Sequence, residues 1–280
     1  MIRPLKNIVQ DILLNYNVTN FEPTRHFKPS DIDPNIQELK DELLIVVNSR
    51  LNGAREKVQQ SCAVNVGSFI LAVDQGLYIG DKKITDSGNF FTQDETVEVH
   101  HSCLSLEDET NVMFHLYANP IVAALAFEYD KVLKEIMGDS YVTPICLVQS
   151  DGIIFGIAQE YIRGIQLDDE YELSERGITM KEFRKQYPVL FNDACVAAHK
   201  TDLIDIPHGD ICRKNLRIEL DGEGTPLRVV SYDSHIIKYI IGIESKSPLE
   251  ENLFHYGLHS RSEAHRMKLF LMGAKGIPTF

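Results

Sequence analysis

The most constraining feature of this 280-residue sequence is a short polar segment between two strand-like runs. Residues 221–226 read DGEGTP, which is rich in turn-forming residues, and the flanking runs cover 216–220 and 227–232. The pattern predicts a β-hairpin with its turn at 221–226. Because the outer ends of a hairpin are neighbours, we expect the side chains of Asn215 and Asp233 to converge.

A third polar residue precedes the same end of the hairpin. Asp210 comes five residues before Asn215, within the segment HGDICRKN at 208–215. Carboxylate and amide oxygens at one open end suit Mg²⁺, which also keeps water or phosphate oxygens as ligands. We therefore expect Asp233 as the principal metal ligand, Asn215 as the second ligand, and Asp210 as base or positioning group for a hydroxyl. Taken singly, each residue is more often a turn start or a strand end.

The elements predicted before the hairpin form a strand-rich segment and then a helical one. Two helices with full apolar stripes are predicted within residues 1–60; they brace the rest of the chain or bind a partner, and stripes that need burial favour the brace. A helix from Asn119 to Gly138 lies among the strands, and a later helix begins at the capping box of Thr179 and breaks at Pro188. The predicted strands cover residues 68–73, 96–99, 112–117, 143–149 and 153–159. This order predicts an α+β protein with a cleft between its two parts.

The segment 208–215 resembles the catalytic loop of the protein-kinase-like superfamily. The resemblance is to the HGD form found in aminoglycoside- and choline-phosphotransferase-like members and in small effector-type kinases. Asp233 is similar to the metal-binding aspartate that follows the catalytic hairpin in that family. The resemblance covers about residues 62–240. It implies ATP and Mg²⁺ as cofactors, with Asp210, Asn215 and Asp233 as catalytic residues.

Two further segments are similar to nucleotide-binding parts of the same family. Residues 159–164, QEYIRG, resemble the hinge, which implies that backbone groups of Glu160 and Ile162 bond to adenine. Glu128 matches the acid of the C-helix, although a lone Glu beside a buried stripe is also explained as a boundary acid that reaches solvent. His115 stands where the family has the lysine that holds the phosphates of ATP, thirteen residues before Glu128.

Several features of the family are weak or missing. A histidine is shorter than a lysine and only partly charged at neutral pH, so His115 is a substitute phosphate contact, a lost one, or a packed strand residue. Lys82 or Lys83 is the alternative cation. The glycine-rich loop has two weak candidates, at residues 64–69 and 76–80. The sequence ends 47 residues after the hairpin aspartate (280 minus 233), which predicts a shortened C-terminal lobe.

Together these features predict an α+β, two-lobed protein-kinase-like fold. Its parts are an N-terminal helical extension at residues 1–60, a strand-rich N-lobe at 61–160, and a shortened helical C-lobe with the catalytic hairpin at 161–280. The predicted function is transfer of phosphate from ATP to a hydroxyl of a protein or small molecule. The alternative is a pseudokinase that serves as a nucleotide- or protein-binding regulatory module. A third interpretation is an unrelated α+β domain with chance motif matches.

Charge and cysteine content exclude some classes of partner and compartment. The chain has 28 basic and 41 acidic residues, a net charge of −13, which disfavours binding to nucleic acid. Its five cysteines are scattered, odd in number and free of CxxC pairs, which predicts neither a zinc knuckle nor a disulfide framework and indicates a reducing, cytoplasmic compartment. No signal peptide and no membrane span are predicted.

Overall fold

The computed structural model describes residues 3–16, 34–58, 63–94, 99–167, 174–175, 179–204, 206, 208, 211, 215–232 and 234. These residues form a mixed α+β protein with antiparallel sheets, as the sequence predicts at this level. They divide into two compact units. Unit 1 draws on residues up to Asn48, Val132–Val142, and from Ile162 onward; unit 2 draws on Ser49–Lys131 and Thr143–Tyr161.

Helices and strands follow one another in blocks along the described chain. The helices are α1 (Leu5–Tyr16), α2 (Pro34–Lys57), α3 (Val66–Asp74), α4 (Pro120–Met137), α5 (Met180–Gln186) and α6 (Pro188–Ile204). The strands are β1 (Tyr78–Ile79), β2 (Lys82–Asp86), β3 (Phe91–Asp94), β4 (Val99–Leu106), β5 (Asn111–Tyr117), β6 (Pro144–Ser150), β7 (Ile153–Glu160), β8 (Gly164–Gln166), β9 (Leu216–Leu220) and β10 (Pro226–Ser231). None of the helices within these residues is long and apolar enough to cross a membrane.

Unit 2 is built on an antiparallel sheet with the strand order β1-β2-β4-β5-β7-β6, and β3 pairs with β4. The strands predicted at 112–117, 143–149 and 153–159 are confirmed as β5, β6 and β7. Asp151 and Gly152 connect β6 to β7 with positive φ angles of 51° and 79°. Two turn residues in this conformation match the twist of the strands that they join.

The segment at 66–74 is a helix, so the prediction of a strand at 68–73 is wrong. Asn65 caps this helix: its side chain accepts the amide of Ser68 at 2.9 Å, and the Ser68 hydroxyl accepts the amide of Asn65 at 3.1 Å. An apolar run without a period fits a buried helix as well as a strand, and here the cap decides. Phe69 of α3 stacks on Phe114 of β5, with ring centroids 4.4 Å apart, in the apolar core of unit 2.

The first candidate for a phosphate loop, residues 64–69, is therefore the capped start of α3. The second candidate, residues 76–80, leads from α3 into β1, and Gly76 and Gly80 have φ angles of 98° and 64°. The second segment contains β1 itself, and Gly80 is the first residue of the two-residue turn that joins β1 to its partner β2. The position of a phosphate loop stays unassigned.

The helix that follows β5 begins and ends as predicted. The side chain of Asn119 accepts the amide of Ile121 at 2.9 Å, Pro120 is the first helical residue, and Gly138 follows the last one with a φ of 61°. The predicted inner stripe of α4 is buried: Leu125, Tyr129, Val132, Leu133 and Ile136.

Unit 1 contains a three-stranded antiparallel sheet with the order β10-β9-β8. Backbone hydrogen bonds join β9 to the chain on both sides of β8: the amide of Leu220 donates to the carbonyl of Arg163 at 2.9 Å, and the amide of Leu167 donates to the carbonyl of Leu216 at 3.0 Å. Gly164 allows this approach, because a Cβ atom there would lie 1.9 Å from the carbonyl oxygen of Ile218.

The helical part of unit 1 also follows the sequence. Thr179 caps α5 through a capping box with Glu182, and the chain restarts at Pro188 as α6. α1 packs against α6, and its apolar stripe is buried at Leu5, Ile8, Val9 and Ile12. This packing is what a bracing helix would make.

His199 of α6 should make unit 1 sensitive to acid. Burial lowers its pKa below the ordinary value of 6.5. As the pH falls below 6.5, the unfolded chain takes up a proton that the folded chain resists, so the free energy of unfolding decreases. We expect His199→Gln to lose less stability than the wild type between pH 7.5 and pH 5.5, measured by urea unfolding. Equal losses in the two proteins would contradict this origin of the acid sensitivity.

Candidate functional site

The hairpin of β9 and β10 brings Asn215 beside the residue that precedes Asp233. In the hairpin Leu216 pairs with Ser231, and one step beyond this pair the amide of Tyr232 donates to the carbonyl of Asn215 at 3.1 Å. Asn215 is fully buried. The predicted hairpin is therefore confirmed, and its outer end joins positions 215 and 232.

Asp210 and Asp233, the two carboxylates expected at this end, lie outside the described residues. Their roles as base and metal ligand stay predictions. Within the part of the chain that the structure describes, no group of three or more His, Cys, Asp or Glu side chains is arranged to hold a metal ion. The predicted magnesium site therefore depends on these two aspartates together with Asn215.

The histidine of the HGD segment is part of the core of unit 1. His208 is fully buried, and its ring meets the ring of Tyr141 edge to face, with centroids 5.5 Å apart and an interplanar angle of 77°. Ile206 and Ile211, on either side of it in sequence, are also buried. Buried side chains thus anchor the loop on both sides of position 210.

The segment 140–142, just after α4, contacts the end of β10 at the outer end of the hairpin. Tyr141 forms a parallel bridge with Ser231, and the amide of Val142 donates to the carbonyl of Ser231 at 3.0 Å. The hydroxyl of Ser231 donates to the carbonyl of Ser140 at 3.0 Å. Tyr141 therefore contacts His208 through its ring and the end of β10 through its backbone. This one residue thus supports both the histidine of the HGD segment and the outer end of the hairpin.

Glu160, the first of the predicted adenine-binding residues, is the last residue of β7 in unit 2. Its amide donates to the carbonyl of Thr143 at 2.9 Å, and its carboxylate accepts the amide of Thr143 at 3.2 Å. These bonds fix Glu160 in the sheet, directly before residues 161–163, which form the connector between β7 and β8. Its predicted bond to adenine is untested.

Ile162, the second of these residues, has a protein partner for its carbonyl. The Nη1 atom of Arg217 donates to this oxygen at 3.0 Å, and the Nη2 atom of the same side chain donates to the side-chain oxygen of Gln166 at 3.3 Å. Ile162 is buried. Ile162 is therefore held by an arginine of the β9–β10 hairpin, a contact that the sequence did not predict.

His115 lies on β5, directly opposite His101 of β4. Both imidazoles are buried, and they meet edge to face with ring centroids 4.5 Å apart. The place where the family has a phosphate-binding lysine is thus taken by one member of a buried histidine pair. Of the alternative cations, Lys82 forms an ion pair with Asp108, which lowers the pKa of that carboxyl to about 2.

Glu128 and a second acid of α4 have different surroundings. The carboxylate of Glu128 bonds to Lys131 in the same helix, at 3.0 and 3.1 Å. Asp130 is buried and accepts a hydrogen bond from the side-chain nitrogen of Gln159 at 2.7 Å. Gln159 stands opposite Met113 and two residues from the position opposite His115, so it shares the sheet face of His115. The acid that α4 turns to this face is therefore Asp130.

Sequence reasoning missed four side chains at these positions: His101, Asp130, Tyr141 and Arg217. One signal was available for Arg217, because β9 alternates between buried Leu216, Ile218 and Leu220 and two partly exposed charged residues. That alternation predicts an arginine on the opposite face of the hairpin. It does not predict which carbonyl the arginine reaches.

Comparison with known proteins adds no assignment: no protein-family model matches this chain, and no curated protein gives a significant match.

Proposed function

We propose that this protein is a kinase-like phosphotransferase that uses ATP and Mg²⁺ and acts on a hydroxyl of a protein or small molecule. The observation that carries the proposal is the hydrogen bond from the amide of Tyr232 to the carbonyl of Asn215. It places Asn215 beside Tyr232, the residue that precedes Asp233 in the sequence, which supports the resemblance of residues 208–233 to a kinase catalytic loop and its metal-binding aspartate. The buried anchor at His208 supports the same interpretation.

In the proposed reaction, Asn215 and Asp233 hold Mg²⁺, and Asp210 orients the acceptor hydroxyl or takes its proton. Asn215 suits this role because an amide oxygen is a ligand that Mg²⁺ accepts, and its main chain is fixed by Tyr232. When bound, Mg²⁺ neutralises negative charge on the phosphates of ATP. The net charge of −13 argues against a nucleic acid as the acceptor.

We also propose that the α+β architecture is kinase-like, with an N-terminal helical extension at residues 1–60, a strand-rich N-lobe at 61–160 and a shortened C-lobe at 161–280. The support is the order of elements: a strand with His115, a helix with Glu128, two more strands, a connector and a hairpin. A cytoplasmic location is proposed on the cysteines, since Cys103, Cys146 and Cys195 are free thiols.

One observation favours the alternative function, a pseudokinase that binds a nucleotide or a protein without catalysis. His115 is 2 % exposed and packs on His101, which is also buried, at the place where the family needs a cation for the phosphates. A histidine is also shorter than the lysine that the family uses there. Phosphate transfer would then lack one of its usual contacts.

Nucleotide binding is tested by the melting temperature of the protein with ATP, with and without Mg²⁺. A ligand of the folded state stabilises it, by about 2.7 kcal/mol at a hundred times its dissociation constant. We expect millimolar Mg-ATP to raise the melting temperature and ATP turnover to follow. No shift would argue against the phosphotransferase and against a nucleotide-binding pseudokinase, whereas a shift without turnover would favour the pseudokinase.

Replacing His115 by lysine separates the two functions further. If His115 is a weakened phosphate contact, His115→Lys should raise kcat/KM for ATP about tenfold, since a hydrogen bond to a charged group contributes about 1.5–3 kcal/mol. The matched control is His101→Lys, the same change on the facing strand, which should give no such gain. A fall in kcat/KM for His115→Lys at unchanged fold would instead mean that the histidine serves the site as it is.

A further inference from the structure

Arg217 makes two directed contacts, one with Ile162 in the connector that follows β7 and one with Gln166, its cross-strand neighbour at the end of β8. Its Nη1 atom donates to the carbonyl of Ile162 at 3.0 Å, and its Nη2 atom donates to the side chain of Gln166 at 3.3 Å. Both acceptors are uncharged. The planar guanidinium therefore holds the connector at Ile162 and the end of β8 at Gln166 at the same time, which a lysine could not do with a single nitrogen.

The second arginine of the hairpin has a different kind of partner. Arg228 of β10 binds the carboxylate of Glu219 on the opposite strand, and its Nη1 atom donates to the carbonyl of Asp139 at 3.0 Å. These contacts lie toward the turn, away from Asn215. Arg228 thus strengthens the hairpin itself, whereas Arg217 ties the hairpin to the connector.

Arg217 also reaches the catalytic end of the hairpin. Its Cζ atom lies 5.9 Å from the ring centroid of Tyr232, within the range of a cation–π contact. The amide of Tyr232 donates to the carbonyl of Asn215, and Asp233 is the next residue in the chain. One guanidinium therefore contacts both the connector and Tyr232, the residue that precedes Asp233 in the sequence.

We infer that Arg217 is a positioning residue for the nucleotide base, holding the connector at Ile162 in the conformation that receives the purine. The inference rests on the proposed function, because it assigns a role within the same site. A carbonyl oxygen has two lone pairs, so the Ile162 oxygen that accepts from Arg217 can accept a second hydrogen bond from the base. The arginine then sets the position of the base, and it takes no part in holding the phosphates.

The experiment compares two probes without metal: adenosine, which carries the base, and inorganic triphosphate, which does not. Their dissociation constants are measured by calorimetry for the wild type and for Arg217→Gln, Arg217→Lys and Arg228→Gln, with folding checked by circular dichroism. We expect Arg217→Gln to weaken adenosine binding about tenfold and to leave triphosphate binding within about twofold, because the fork to the connector is lost. Arg217→Lys should weaken adenosine binding about threefold, and Arg228→Gln should change neither probe.

Each outcome of this experiment decides something. Adenosine binding by Arg217→Gln that equals the wild type overturns the inference, and so does an equal loss for both probes, which a merely structural role would produce. If Arg217→Gln does not fold, Arg217→Lys carries the same comparison. A wild type that binds neither probe overturns the proposed function, and the inference with it. If the wild type binds adenosine, the result for Arg217→Gln tests the inference alone.

Discussion

Replacing Asp233 by alanine should lower the turnover of ATP at least about a thousandfold. The structure fixes Tyr232, the residue before Asp233, to the carbonyl of the buried Asn215, and the proposed function makes Asp233 the principal metal ligand. A bound metal ion contributes several kcal/mol to stabilising charge in the transition state, and about 4 kcal/mol corresponds to a thousandfold change in rate. The measurement is kcat for ATP at saturating Mg²⁺, with the fold of the variant verified by its melting temperature.

The matched control is Asp221→Asn, an aspartate of the same hairpin at its turn. The carboxylate of Asp221 accepts the amides of Thr225 and Glu223 at 2.8 and 2.9 Å, which lowers its pKa. An asparagine keeps an acceptor for these bonds, so turnover should stay within about twofold. If Asp233→Ala leaves the turnover of ATP unchanged, Asp233 is rejected as the metal ligand.

Replacing Gly164 by alanine should destabilise the protein by at least about 3 kcal/mol. A Cβ atom at this position would lie 1.9 Å from the carbonyl oxygen of Ile218 and 2.9 Å from the Cα atom of Glu219. Both atoms are main chain, so no rotamer change relieves the clash, and β8 must move away from β9. The loss would also displace Arg217, whose side chain reaches the connector across the same pair of strands. The measurement is the urea midpoint of unfolding.

Gly222→Ala is the control for this prediction. Gly222 lies in the turn of the hairpin, and nothing lies within 4 Å of a Cβ atom built there. Its substitution should change the free energy of unfolding by no more than about 0.5 kcal/mol. Equal midpoints for Gly164→Ala and the wild type would mean that β8 does not pack closely on β9.

Local signals in the sequence predicted much of the fold. Asn119 and Thr179 carry side-chain oxygens that cap a helix, Pro188 cannot continue one, and the DGEGTP turn gives the hairpin its register. Each of these signals acts over a few residues. The error at α3 has the opposite cause: the run FILAV has no period that separates helix from strand, and the cap at Asn65 decided the outcome.

The site was predicted in part for the same reason. The convergence of Asn215 with the chain before Asp233 follows from hairpin geometry alone. The pairing of His115 with His101, the bond between Asp130 and Gln159, and the contact of Arg217 with Ile162 join residues 14, 29 and 55 positions apart. Such contacts depend on strand register and helix packing, which a single sequence does not specify at the level of one side chain.

The most direct test of the central claim is a crystal structure with Mg²⁺ and a non-hydrolysable analogue of ATP. We predict that the side-chain oxygens of Asn215 and Asp233 both lie about 2.1 Å from one Mg²⁺ ion, which also binds the phosphates, and that the carboxylate of Asp210 faces the space beside the terminal phosphate. An amide at 215 and carboxylates at 210 and 233 that point to separate surfaces, with no metal between them, would contradict the account.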